Sequence, residues 1–535
     1  MLTTELYPYQ KPALEQYLQR GNLLLAWEMG LGKTLLAIAA AETLGKTCLI
    51  IAPASLLTQW AVAIAQHTDV PTYERKIKGQ MFTLPVPSSC QIIDGTAKQR
   101  KAQFYGAYAN LPRYIIMSYG TVVSSPRWVR KLRAEMIAVD EASAIKSFDA
   151  VRSKAIKKLR PAYRMAMTGT PIENRPDEAF SIMQWVDEDV LGDWDLFDKT
   201  FVTRDAYDNV KEHKNLPLFH KKMSEAMNRK GRTDPDVAPY LPDTDVAEWF
   251  VEIDPRSLGA YRYIAGDLRN AIAGLRGGNR TDLGAYYSGE GRPDETTQLG
   301  RVMSRQLALE LLLDHPDLVI NSALDYQESL DMQEKGIERA NWAGSKYCYE
   351  IWQEGVLDEA VDSTKLERLV DEVRDILNTH PDSKILIFSR FKYMLSVIED
   401  ALALPCVQYH GDMDSGSKAS AVRRFTNDSS IRVFLSSHAG AYGTDMYMAN
   451  WLINYDLPWS AGKADQINGR HQRAASEFDL VYIRNMITSG TVEVRKLDML
   501  EYKRSLSAAV IDGKVGSSGR IVNDLDSLSS WLEDI

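Results

Sequence analysis

Three sets of residues, distant from one another in the chain, carry side chains suited to one reaction. The first is Glu28-Met29-Gly30-Leu31-Gly32-Lys33-Thr34. Glycines let backbone N–H groups curl around phosphates, a lysine reaches the β/γ oxygens, and a Ser/Thr hydroxyl holds Mg²⁺. Gly30, Leu31, Gly32, Lys33 and Thr34 supply these parts, with Trp27 in the place of the pattern's first glycine. The second set is Asp140-Glu141, which ends the apolar run 136–139. One carboxylate there can hold Mg²⁺, and the next can orient and deprotonate an attacking water. The third is Arg470 and Arg473, whose i,i+3 spacing points both guanidinium groups the same way on a helix, where they can neutralise phosphate charge. Thr168-Gly169-Thr170-Pro171 adds two hydroxyls at a sharp strand end. Taken singly, these segments also fit a strand–turn–helix, a common acidic strand end and a solvated basic face. Their order joins them into one phosphate-handling site split between two units.

The elements that must position them follow from hydrophobic patterning. Apolar runs at 22–27, 48–52, 114–118, 136–140 and 164–168 alternate with helical patterns. Unbroken apolar strands separated by helices imply a parallel sheet covered on both faces, with its chemistry in loops at the carboxyl ends of strands. The alternation resumes with strands expected at 384–389, 406–410, 432–436, 451–456 and 479–484. Between the two units, 199–232 has no strand pattern, 301–313 and 320–333 read as helices, and 274–295 holds six glycines and reads as a loop. The expected fold is α/β: two tandem parallel-sheet domains with a mostly helical insertion. The expected boundaries are 1–185, 186–345, 346–490 and a brace and tail over 491–535, with a small helix around 525–532.

Bulk composition bounds the function. The chain has 535 residues and a formal net charge of −9, and the four cysteines are too few and too scattered for a disulfide framework or a zinc site. Met1-Leu2-Thr3-Thr4-Glu5 lacks the basic and apolar regions of a signal peptide, so none is expected, and 23–41, the best apolar stretch, is broken by Glu28, Gly30, Gly32 and Lys33. A soluble, intracellular, cytoplasmic protein is expected. The mean charge hides an asymmetry: residues 1–180 carry 23 basic and 14 acidic residues, and the remainder carries 40 and 58. The basic segments 127–164 and 199–232 are candidates for phosphate contact, against the plainer reading of solvated helix faces.

On these residues the chain resembles helicase superfamily 2, and within it the Swi/Snf family of DNA-dependent ATPases, from about Leu6 to Arg504. Leu6-Tyr7-Pro8-Tyr9-Gln10 is similar to the family's adenine-recognising segment, and 48–57 with Gln59-Trp60 to its motif Ia. Asp140-Glu141-Ala142-Ser143 resembles the Walker B box, Thr168-Gly169-Thr170-Pro171-Ile172-Glu173-Asn174 motif III, 436–446 motif V and 466–473 motif VI. Trp27 stands where the family usually has Asp, Ser143 where it has His, and Asp445 where it has Asn. The bare motor suggests a bacterial or phage source.

The resemblance implies that the two parallel-sheet domains are RecA-like, with ATP and Mg²⁺ as ligands. Gln10 would read the adenine, Lys33 would hold the β/γ-phosphates, and Thr34 and Asp140 would hold the metal. Glu141 would activate water, Arg470 and Arg473 would complete the site from the second lobe, and Gly443 joins the nucleotide-binding set. The implied partner is DNA, double-stranded more than single-stranded, touched by Ser55, Ser118, Thr168 and Ser436. Translocation is the implied activity. A strand-separating repair or recombination helicase and an inactive DNA-binding scaffold are the alternatives; the intact Lys33, Asp140, Glu141, Arg470 and Arg473 argue against the scaffold.

Overall fold

Strands composed of Leu, Ile, Val and Met bury both faces, which requires helices above and below them. A computed structural model describes residues 1–77, 80–173, 175–204, 210–275, 297–335, 344–437, 446–472, 476 and 478–513. In the first half the strands are β1 (Asn22–Trp27), β2 (Cys48–Ala52), β3 (Thr72–Ile77), β4 (Gln80–Pro85), β5 (Cys90–Ile93), β6 (Tyr114–Ser118), β7 (Met136–Asp140), β8 (Tyr163–Met167), β9 (Val202–Arg204), β10 (Val210–His213) and β11 (Met227–Lys230). Then follow β12 (Asp243–Val251), β13 (Ile385–Ser389), β14 (Cys406–Tyr409), β15 (Val433–Ser437), β16 (Trp451–Asn454) and β17 (Leu480–Thr488).

The first sheet has the order β11-β1-β8-β7-β2-β6-β5, and the second β12-β17-β16-β13-β15-β14. Every pairing in both is parallel. The two-sheet α/β expectation therefore holds, and the expected strands match within a few residues. Helices Gln298–Asp314 and Pro316–Glu334 lie where helices were expected. The first two residues of the expected loop end the helix Leu258–Leu275, and its residues 276–295, like 525–532, lie outside the described residues.

Two findings correct the sequence reading. The segment 199–232 is not free of strands: it contains β9, β10 and β11, and β11 completes the edge of the first sheet beside β1. Strand β12 pairs with β17 over nine residues, Asp243 to Val251, at the edge of the second sheet. Both strands mix polar with apolar residues because an edge strand has only part of its surface covered, so no continuous apolar run marks them.

The helix Val492–Ile511 ties the halves together. Its first turns, with Val492 and Leu500, pack on the second half, while Leu506, Ala509, Val510 and Ile511 join the core of the first sheet. Burying each large apolar side chain contributes about 1.5–3 kcal/mol, so this tip is a substantial anchor. His220 Nδ1 lies 2.9 Å from the Val510 carbonyl oxygen. Among the described residues, no helix is long and apolar enough to cross a membrane.

Candidate nucleotide site between the two sheets

Strand β1 ends at Trp27, and the helix Lys33–Leu44 begins six residues later. The turn between them needs positive φ at Gly30 (86°) and Gly32 (77°), which glycine adopts without steric cost. Leu31 is the fixed point of the loop: its carbonyl accepts hydrogen bonds from the Tyr9 hydroxyl and from Gln10 Nε2, each 3.1 Å. The Gln10 Oε1 accepts from the Tyr7 N–H at 3.0 Å, and Gln10 is fully buried. A Cβ on Gly32 would meet Gln10 Nε2 at 2.4 Å, so Gln10 is the back wall of the loop. Lys33 Nζ reaches across the loop to the carbonyls of Trp27 (2.7 Å) and Glu28 (3.1 Å). Trp27, the departure from the family pattern, is accommodated by its indole N–H donating to Asn228 Oδ1 on β11 at 2.8 Å.

Asp140 closes β7, 9% exposed. Its Oδ2 accepts from Trp60 Nε1 at 2.8 Å and its Oδ1 from the Glu141 N–H at 2.9 Å. Burial raises its pKa, while the Trp60 hydrogen bond and the Lys33 charge pull the other way. Glu141 sits at φ 49°, ψ 55°, a left-handed conformation that costs a non-glycine residue on the order of 1–3 kcal/mol. The Tyr119 hydroxyl holds this kink, donating to the Asp140 carbonyl at 2.6 Å and the Glu141 carbonyl at 3.1 Å. Burial and the Asp140 charge push the Glu141 carboxyl up to about 7, against the pull of Lys33 and Arg470. Among the described residues, neither carboxylate forms an ion pair.

The second half reaches this centre through the helix Ala461–Asn468 and the turn after it. Gln466 Nε2 donates to Glu141 Oε2 at 3.3 Å. Arg470, 5% exposed, lies close enough for its charge to act on Glu141. Gly462 and Gly469 allow the approach. A Cβ on Gly462 would lie 2.9 Å from Glu173 Cγ and 3.1 Å from Thr170 Cβ; one on Gly469 would lie 2.9 Å from both Met29 Cβ and Arg232 Nη2.

Of the expected site residues, the structure brings Gln10, Gly30, Leu31, Gly32, Lys33, Thr34, Asp140, Glu141 and Arg470 around one cleft. Arg473 and Gly443 lie outside the described residues, as does Asn174. The expected DNA contacts divide. Ser55 is exposed in the turn before the helix Leu57–His67, and Ser118 is half-buried, its Oγ accepting from the Thr121 N–H at 3.1 Å. Thr168 and Ser436 are both buried: the Thr168 hydroxyl accepts from the Thr170 N–H at 3.1 Å, and the Ser436 hydroxyl donates to the Ser437 carbonyl at 3.2 Å.

The basic segment 199–232 spends several of its cations inside the molecule, while Lys199 and Lys221 stay exposed. Arg229 donates to Glu28 Oε1 (2.8 Å) and Asp512 Oδ1 (2.7 Å), Arg232 Nη2 donates to the Met29 carbonyl (2.8 Å), and Arg204 pairs with Asp198. Arg229 and Arg232 buttress the phosphate loop, a role their sequence neighbourhood does not announce. The roles of Trp60, Tyr119 and Gln466 stayed unassigned for the same reason: their partners are 80, 21 and 325 residues away.

The comparisons with known proteins agree with this geometry. The SNF2-related domain family matches residues 9–286, and the helicase conserved C-terminal domain matches 364–475. A putative ATP-dependent helicase/translocase, YwqA, of Bacillus subtilis is 25% identical over 95% of this chain and 49% of its own length. A DNA repair and recombination protein RAD54-like of Drosophila mojavensis is 24% identical over 100% of this chain and 67% of its own. The chain thus spans about half the length of the Bacillus relative. The Hef helicase domain of Pyrococcus furiosus has a similar fold: TM-score 0.52, 15% identity, 91% of this chain and 96% of that one. Since the first of these families covers more than half of the 535 residues, the chain belongs to the SNF2-related family.

Proposed function

We propose that the chain is an ATP-dependent translocase on double-stranded DNA. The observation that carries this reading is the approach of Gln466 and Arg470, from the second half, to Glu141 in the first. A hydrolytic carboxylate touched from both sides of a cleft links bond cleavage to relative movement of the halves. The family, and the helicase/translocase and DNA-repair relatives, support DNA as the track.

The residues fit ATP and Mg²⁺. The loop is a cradle that side chains would fill, as the 2.4 Å approach at Gly32 illustrates. Thr34 and Asp140 offer the hard oxygen donors that Mg²⁺ takes alongside substrate phosphates. When bound, Mg²⁺ supplies neutralisation of phosphate charge. Lys33 exchanges two carbonyl acceptors for the β/γ oxygens. Trp60 fixes the Asp140 rotamer. Glu141 orients the attacking water and takes its proton, a role suited by a pKa near operating pH. Arg470 and Arg473 stabilise the charge that develops, and Gln466 reports to the second half whether Glu141 is engaged. Gln10 sets the floor of the loop, with its amide available to the adenine once the loop shifts.

The test is ATP turnover against double-stranded, single-stranded and forked DNA and RNA, with triplex displacement alongside. Duplex-stimulated turnover with triplex displacement is expected. Strand separation without triplex displacement replaces translocation by unwinding, and turnover indifferent to every nucleic acid overturns the reading.

A further inference from the structure

Charge along the first half is not evenly spent. Residues 95–134 hold eight basic residues and no acidic one. In the fold this stretch forms the helix Ala97–Ala109, the edge-proximal strand β6, and the helices Tyr119–Ser124 and Pro126–Lys131. Lys98, Lys101, Arg127, Arg130, Lys131 and Arg133 are all exposed, and none forms an ion pair among the described residues. Elsewhere in the same half, Lys46, Lys146, Lys154 and Arg160 are paired with acids. Leaving six neighbouring cations without counter-charge carries a self-repulsion that a bound polyanion would relieve.

The floor of this face is aromatic. Tyr105 and Trp128 meet edge-on at 5.3 Å, Trp128 and Tyr108 stack at 6.1 Å, and the Tyr108 hydroxyl donates to the Trp128 carbonyl at 2.6 Å. These contacts lock the two helices side by side. Lys101 Nζ stands 6.0 Å from the Tyr105 ring and Lys131 Nζ 5.9 Å from the Trp128 ring, so rigid rings hold the ammonium groups outward. Tyr105 is 55% exposed. Lys98, Lys101 and Tyr105 recur at i, i+3 and i+7, which places them on one stripe.

The face lies away from the nucleotide cleft. Five strand steps separate β1 from β5, roughly 24 Å at ~4.8 Å per strand. It is nonetheless continuous with Ser118, because Ser118 caps the helix Tyr119–Ser124 that leads into Pro126–Lys131. We infer that this face is a second contact for the DNA backbone on the first half, which grips duplex beyond the segment held near Ser55 and Ser118. The inference rests on the double-stranded DNA reading above. One helical turn of duplex, ~34 Å, is taken up by the contacts near Ser55 and Ser118, and a longer duplex runs on to this face.

The test uses the full chain and the triple variant Lys101→Gln/Arg127→Gln/Lys131→Gln, with fluorescence anisotropy on duplexes of about 10 and about 30 base pairs across a salt series. The three residues are exposed, so thermal unfolding of the variant should match the parent. The expected result is unchanged affinity for the short duplex, with roughly 10-fold or more weaker binding of the long one. The slope of log affinity against log salt for the long duplex should fall by about 2–3, since each lost phosphate contact removes ~0.9. Equal losses on both duplexes, or an unchanged salt slope, overturn the inference. A parent protein that binds neither duplex defeats the DNA reading itself. Losses seen only with an acidic protein and not with DNA reassign the face to a protein partner.

Discussion

At the cleft, Asp140 and Glu141 sit in the fields of Lys33 and Arg470, yet hydrogen bonds from Trp60 and Gln466, not ion pairs, hold them. Beside the second sheet the same side-chain types make a closed network. Lys365 Nζ binds Asp314 Oδ1 at 2.9 Å and Glu493 Oε1 at 2.6 Å; Lys496 Nζ binds Glu310 Oε2 at 3.0 Å; Arg390 also binds Glu310; and Trp459 Nε1 donates to Glu310 Oε1 at 2.7 Å. Burial works against the Lys365 charge, but its two carboxylates prevail and hold its pKa up. Burial, with the Arg390 charge, pulls Lys496 well below its ordinary value. The second network joins the helices Gln298–Asp314, Thr364–Thr379 and Val492–Ile511. The contrast separates two uses of buried charge. Carboxylates with cations locked onto them fasten helices together, whereas carboxylates left to lighter hydrogen bonds keep lone pairs for a ligand.

Breaking each cluster should therefore read out differently. Lys365→Met leaves Asp314 and Glu493 buried without their cation, and about 3–5 kcal/mol of stability should be lost. Chemical denaturation checks this; a loss below about 1 kcal/mol would mean that the network is ornamental. Lys33→Met should barely move the unfolding midpoint while turnover falls about 10²–10³-fold. Steady-state ATPase measurement beside calorimetry decides it, and a large midpoint shift would merge the two clusters into one class.

A subtler break is Gly462→Val. Its Cβ would press on Glu173 and Thr170, parting the halves slightly, and turnover should drop about 10-fold with nucleotide binding kept. Gly259→Ala, which meets nothing within 4 Å, is the matched control. The smallest effect sharpens the comparison instead. Glu141 has a folded pKa of about 7 against an ordinary 4.5, so its ionised form destabilises the fold. That cost is full above pH 7 and absent below pH 4.5. Glu141→Gln should raise stability at pH 8 and leave it unchanged well below pH 4.5, while abolishing turnover. An equal gain at both pH values would assign the effect to something other than charge.

Much of this was legible in the sequence, and the reason is physical. The strands Cys48–Ala52 and Met136–Asp140 are buried on both faces, so every residue in them is apolar until the acid that ends the second. The phosphate loop was legible because Gly30, Gly32 and Lys33 act within a few residues of one another. What stayed hidden depends on contacts between distant segments. Arg229 and Arg232 looked like a solvated basic run until β11 set them beside Glu28 and Met29. Thr168 and Ser436 carried the right hydroxyls, but burial depends on what the fold lays over them.

The nine-residue pairing of β12 with β17 has a consequence for how the molecule is made. The chain contributes an edge to the second sheet at residues 243–251, leaves for about 130 residues of mostly helical chain, and supplies the partner of that edge only at 480–488. The helix that seals the first core, through Leu506, Val510 and Ile511, emerges later still. Neither half is finished when its own main strands have left the ribosome. Both wait, with apolar surface uncovered, for the segment around residues 480–511, which makes the interval before its arrival the period in which a nascent chain most needs protection from aggregation. A fragment meant to stand for the second half must start before Asp243, and one meant for the first must be given the helix Val492–Ile511 in trans.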